Sequence, residues 1–199
     1  MLLFTRVSLG IRDAPHQAMI RASVAFWCLV WLAPAHATTV RSASLDELIQ
    51  LSTSVVRGQV LASSAALKGS LIYTHYTVQI LDQWKGPAAG QVDVQIPGGT
   101  LGSMQQSIGG APQLAIGSQY VFFLWTAPSG ANMPLGLSQG VLNITSDTTG
   151  NVTVIRPPSE ALALNPAGAA AASQDPMQMR LIDFASRVAS AVKGGSNTR

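Results

Sequence analysis

The chain has 199 residues, only 11% of them charged, with 12 Lys and Arg, nine Asp and Glu, three His and one Cys. A formal charge of +3, scattered over that length, supplies no patch able to neutralise a run of phosphates, which argues against nucleic acid as a partner. A single cysteine excludes an internal disulfide and any site built from paired thiolates.

The first element in chain order is a removable export signal starting at Met19. Met19-Ile20-Arg21 is a short positive start, and Ala22 to Leu32 is an apolar run of signal-peptide length. Pro34 breaks that run, and Ala35-His36-Ala37 offers the small-x-small pattern after which a signal peptidase cuts. Residues 1–18 have no hydrophobic continuation and are expected to be an upstream extension, with Met19 as the true start. An apolar run of 11 residues falls short of the roughly 20 needed to cross a bilayer. Cys28 lies inside this leader without the small residues that precede a lipid-modified cysteine.

Cleavage near Ala37 would give an exported chain, periplasmic or secreted, with no transmembrane segment. It would remove Arg6, Arg12, Arg21 and Asp13, leaving nine basic residues against eight acidic ones. His75 would be the one remaining histidine, and no thiol would be left. Such a domain must rest on its apolar core, which about 160 residues are enough to build.

Ser44-Leu45-Asp46-Glu47 is a capping box, and Leu45, Leu48 and Ile49, with Leu51 close by, predict a short amphipathic helix. Val55 to Leu61 predicts a first strand, bent or bulged at Gly58. A polar, small segment, Ala62 to Ser70, leads to a second strand over 71–81. Period-two alternation of Ile72, Thr74, Tyr76, Val78 and Ile80 marks that strand as half-buried. Gln91 to Ile96 alternates again.

Pro97-Gly98-Gly99 opens a long glycine-rich surface loop to about Gly117. Ala115 to Trp125 is continuously apolar and is expected to be covered on both faces. Residues 141–145 and 152–156 predict a hairpin around Asp147 and Gly150. Residues 157–174 are an Ala/Pro-rich linker. Asp175-Pro176 then starts a C-terminal helix over 175–194, with Leu181, Phe184, Ala185, Val188 and Val192 as its apolar stripe.

The resulting division is leader 1–37, β-barrel domain 38–156, linker 157–174 and helix 175–194. The fold class is mainly β: a small antiparallel OB-like barrel or sandwich with a short N-terminal helix and a C-terminal helix. Docking of the closing helix on the barrel is expected, because its stripe demands cover.

No catalytic, cofactor-binding or metal-ligating residue is nominated. Gly136-Leu137-Ser138-Gln139-Gly140 matches the G-x-S-x-G pattern, but a loop precedes it, a strand follows it and no histidine lies after Ser138. The order His75, Asp93 (or Asp82), Ser138 imitates a serine-protease triad on a barrel. His75 nevertheless shares the solvent-facing side of its strand with Thr77 and Gln79. Asp147-Thr148-Thr149-Gly150 has one residue too many for an aspartic-protease motif and suits a turn. The glycines of 97–118 lack the Lys-Ser/Thr ending of a phosphate loop.

Several stretches together resemble a family of exported bacterial proteins of unassigned function. They are residues 44–48, Ser54 to Val60, Tyr73 to Val78 followed by Trp84-Lys85-Gly86, Pro97-Gly98-Gly99, Gly117 to Leu124 and Gln139-Gly140. The same rhythm is similar to the netrin-like, OB-type module of tissue inhibitors of metalloproteinases. Those inhibitors approach zinc through an N-terminal cysteine and hold their barrel with cysteine frameworks. Neither feature is present here, so the resemblance implies the barrel and not the inhibition.

These readings converge on an exported, non-enzymatic binding or interaction module without cofactor, its partner another exported or envelope protein. Residues 97–118 and 128–139 are the expected contact surfaces. The competing reading is a minimal serine hydrolase using Ser138 and His75.

Overall fold

The computed structural model of the chain describes residues 43–156 and 177–195. The leader (1–37), the linker (157–174) and the Asp175-Pro176 helix start fall outside the described residues.

Helix α1, Leu45–Leu51, begins with the expected reciprocal cap. The Ser44 hydroxyl accepts from Glu47 N at 3.2 Å, and the Glu47 carboxylate accepts from Ser44 N at 2.8 Å. Leu45, Leu48 and Ile49 are buried, whereas Leu51 is 63% exposed. At about 100° per residue, Leu51 lies roughly 110° from the mean direction of the other three, so it leaves their face.

Strands β1 (Ser54–Lys68) and β2 (Leu71–Lys85) form a long antiparallel hairpin closed at Gly69-Ser70. The segment from Ala62 is therefore strand and not connection. Its backbone pairs with 71–77, while most of its side chains are exposed. With little of either face covered, no hydrophobic period betrays it. Register shifts at Val55/Val56, Arg57/Gly58 and Val60/Ala62 curve β1. Gly58 is required at its shift: a Cβ there would collide with Val78 Cγ1 and approach Gln79 O to 2.8 Å.

β3 (Gln91–Pro97) pairs antiparallel with β2. A small hairpin follows, β4 (Gly99–Leu101) and β5 (Met104–Gln106). β6 spans Gln119–Thr126; its predicted start at Ala115 is replaced by a turn in which Ser118 N donates to Ala115 O. β7 (Asn132–Pro134) lies in the stretch expected to be loop. A 3-10 turn (Leu137–Gly140) leads into β8 (Val141–Ser146) and β9 (Val152–Ile155), the expected hairpin.

The sheet order is β1-β2-β3-β7-β6-β8-β9, and β1 also pairs with β6. Five strands, β1-β2-β3-β7-β6, thus return on themselves as an OB-like ring. β3 and β7 run parallel and share one bridge, Val94 to Asn132. The other pairs in the ring are antiparallel.

Two apolar cores lie on either side of this wall. Val56, Val60, Tyr76, Val78, Val94, Ile96, Phe122 and Leu124 fill the ring, with Leu114 from the long loop packed among them. Leu48, Val55, Val121, Phe123, Leu142, Val154, Phe184 and Val188 form the outer core beneath the helices. Neighbours such as Val121/Phe122 and Phe123/Leu124 go to opposite cores, as successive strand side chains must. Coverage of both faces accounts for the continuous apolar run of β6.

The C-terminal segment begins as a strand. β10 (Gln178–Arg180) pairs with β9, and helix α2 runs Leu181–Gly195, so 178–180 correct the expected helix start. A free backbone edge on β9 captures these residues before the helix begins. Helix α2 docks as expected: Phe184 and Val188 are fully buried. Trp84 and Phe123 meet Phe184 edge-on, at 5.3 and 6.1 Å between ring centroids. Arg187 pairs with Asp46 at 3.0 Å, and Gln50 Nε2 donates to Ala191 O at 2.9 Å, joining the two helices. Among the described residues no helix is long and apolar enough to cross a membrane.

Candidate functional site

Residues 97–118 do not swing free of the barrel. They fold back over it, and Leu114 is buried in the ring. Two side chains clamp the segment to β2. Thr74 Oγ1 donates to Gly98 O at 2.8 Å, and Gln106 Oε1 accepts from Ile72 N at 2.7 Å. Gly98 N donates in turn to Ile72 O at 2.7 Å.

Glycine is needed for the approach at Gly99. Its φ is 136°, and a Cβ there would strike the Thr74 hydroxyl. Between this segment and β2 and β3 lies a cavity of about 310 Å³, at the lower end of the range for small-ligand sites.

The second predicted contact surface meets the first. Ser138 N donates to Gly110 O at 3.0 Å. The contact depends on an unusual backbone, because Gly136 (φ 64°) and Leu137 (φ 59°) are both left-handed. That conformation strains a leucine, which carries a Cβ, and not a glycine. Residues 97–118 and 128–139 therefore form one continuous surface around Gly110 and the 3-10 turn.

The chemistry-bearing residues are distributed elsewhere. His75 Nδ1 lies 2.9 Å from Asp93 Oδ2, and the same oxygen accepts from Gln95 Nε2 at 3.1 Å. Asp82 is bound instead to Arg57, at 2.7 Å. His75 projects from the opposite face of β2 to Thr74 and Tyr76, which line the cavity. Its side chain is 30% exposed. Among the described residues no hydrogen bond joins Ser138 to His75. Asp147 is occupied in the β8–β9 turn, where Oδ1 accepts from Thr149 N, Thr149 Oγ1 and Asn151 N at 2.7–2.9 Å. Those bonds hold its carboxyl at about 2, below the usual 3.8.

Two cations have roles that sequence reasoning missed. Lys85 Nζ donates to Ile49 O and Gln50 O, at 2.6 and 3.0 Å, satisfying carbonyls at the end of α1. Burial lowers its pKa. Arg156 is only 7% exposed, and its Nε and Nη2 have no hydrogen-bond partner among the described residues. Its Nη1 reaches Ala43 O at 3.5 Å. Burial lowers its pKa as well. Neither role has a local signature, because each depends on a partner many residues away.

No protein-family model matches the chain, and no curated protein matches it in sequence.

Proposed function

We propose that this protein is an exported, non-enzymatic binding module, presenting residues 97–118 and 128–139 as one contact surface to another exported or envelope protein. The leader read from Met19 to Ala37 supports export, with cleavage near Ala37. The observation that carries the binding role is the back-folded segment. A connection needing only to join β3 to β6 has no use for two side-chain clamps and a half-open cleft lined by its own residues.

The test is capture of partners from a periplasmic extract by the trimmed protein and by a variant substituted at several positions across 99–112. Loss of capture with unchanged thermal unfolding supports the proposal. Equal capture by both proteins refutes the surface.

A second reading has one observation in its favour. The His75–Asp93 contact has the arrangement that the base and its orienting carboxylate take in a hydrolytic triad. Under it, Ser138 is the nucleophile, and a serine-directed covalent probe labels the folded protein. That label disappears in Ser138→Ala and in His75→Ala. Absence of labelling eliminates the hydrolase.

A further inference from the structure

We infer that the cavity behind residues 97–114 takes a small uncharged molecule whose groups both donate and accept hydrogen bonds, such as hydroxyls and amides. The inference rests on the reading of 97–118 as the contact surface and adds a ligand chemistry to it.

Charge is the first argument. Not one of the residues lining the cavity is Asp, Glu, Lys, Arg or His. A charged ligand would leave water for a wall without a counter-charge, and desolvating an unpaired ion is strongly unfavourable. An uncharged ligand meets no such cost.

The second argument is the hydrogen-bonding capacity left after the frame is built. Thr74 and the Gln106 carbonyl oxygen are committed to the clamps. Thr100, Gln105, Ser107 and Gln113 also line the cavity, and their side chains make no hydrogen bond among the described residues. Each of the four both donates and accepts. Ile96, Ile108 and Leu114 supply apolar wall. The lining is mainly polar, and Thr100, Gln105, Ser107 and Gln113 are exposed at the mouth of a half-open cleft, where a ligand with several hydrogen-bonding groups can replace the water they hold.

The third argument is preorganisation. The clamps at Gly98 and Ile72 and the close contact at Gly99 hold the wall in place before any ligand arrives, so little ordering remains to oppose binding.

The experiment is a titration of the trimmed protein followed by backbone amide resonances. N-acetylglucosamine carries hydroxyls and an amide, glucose only hydroxyls, and N-acetylglycinamide only amides. N-acetylglucosamine 6-phosphate is the charged counterpart. At least one uncharged probe should give saturable shifts confined to the lining residues of β2 and β3 (Thr74, Tyr76, Ile96) and to 97–114, with the phosphate at least tenfold weaker. The double variant Gln105→Ala/Gln113→Ala, both positions exposed, should weaken that probe at least tenfold without altering other resonances.

Tighter binding of the phosphate overturns the ligand class while leaving the cavity as a site. Silence from every probe, with partner capture still lost on substituting 99–112, overturns this inference alone and leaves the proposed function standing. Silence together with unchanged capture overturns both.

Discussion

Trp84, at the end of β2, meets Phe184 of α2 edge to face, with planes inclined at 67°. This contact couples the last helix of the chain to a strand of the ring, although a hundred residues of sequence separate them. Phe184 also touches Phe123 and is fully buried. Phe184→Ala should therefore cost about 3–5 kcal/mol, the range for truncating a buried aromatic. Denaturant unfolding measures it, and a loss below about 1 kcal/mol would contradict docking of the helix.

The clamp on the long segment makes a second prediction. Thr74→Val removes the donor to Gly98 O with little change of shape. It should cost about 1 kcal/mol and speed amide exchange in 97–108. Gly99→Ala should cost more, because its φ of 136° and the contact with Thr74 both oppose a methyl group. Unchanged exchange in both variants would show that the clamp does not hold the segment.

The Asp147 turn carries a pH dependence with a definite sign. Its carboxyl sits at about 2 in the fold against 3.8 ordinarily. The ionised form is therefore favoured by folding. Its support of the β8–β9 turn is fully present above the ordinary value and is lost as pH falls through about 2. Thr149 and Asn151 amide resonances should titrate near that lower value and stop doing so in Asp147→Ala. A midpoint at or above 3.8 would show that the bonds are absent in solution.

Arg156 reverses the usual expectation for removing a charge. Among the described residues, two of its guanidinium nitrogens are buried without a hydrogen-bond partner, and it makes no ion pair. Arg156→Met keeps the length and removes the partly desolvated cation and its unpaired donors, so it should raise stability, by about 1 kcal/mol or more. A lower melting temperature would contradict it.

The parts of this fold legible in the sequence are those with local causes. The cap at Ser44, the alternation of β2 and β3, the doubly covered β6 and the turn at Asp147 all follow from neighbouring residues. Helix α2 shows its stripe for the same reason. The outer half of β1 was hidden because both of its faces are largely exposed, so no period survives. β10 was hidden because three residues become a strand only when β9 offers an edge. The two segments proposed as a contact surface could be nominated by glycine content and length. Their meeting at Ser138 and Gly110, the clamps and the cavity could not, since each is a contact between distant segments. Leu51 shows the converse error, an apolar residue near a stripe but outside it.

The ring has a seam. Along it, Val94 and Asn132 supply the one ladder bridge, reinforced by Asn132 Nδ2 reaching Asp93 O at 3.3 Å. The other junctions of the cylinder unzip only by breaking several rungs. Breathing therefore starts at this line, and solvent deuterium should enter the interior there before it reaches Val60 or Phe122.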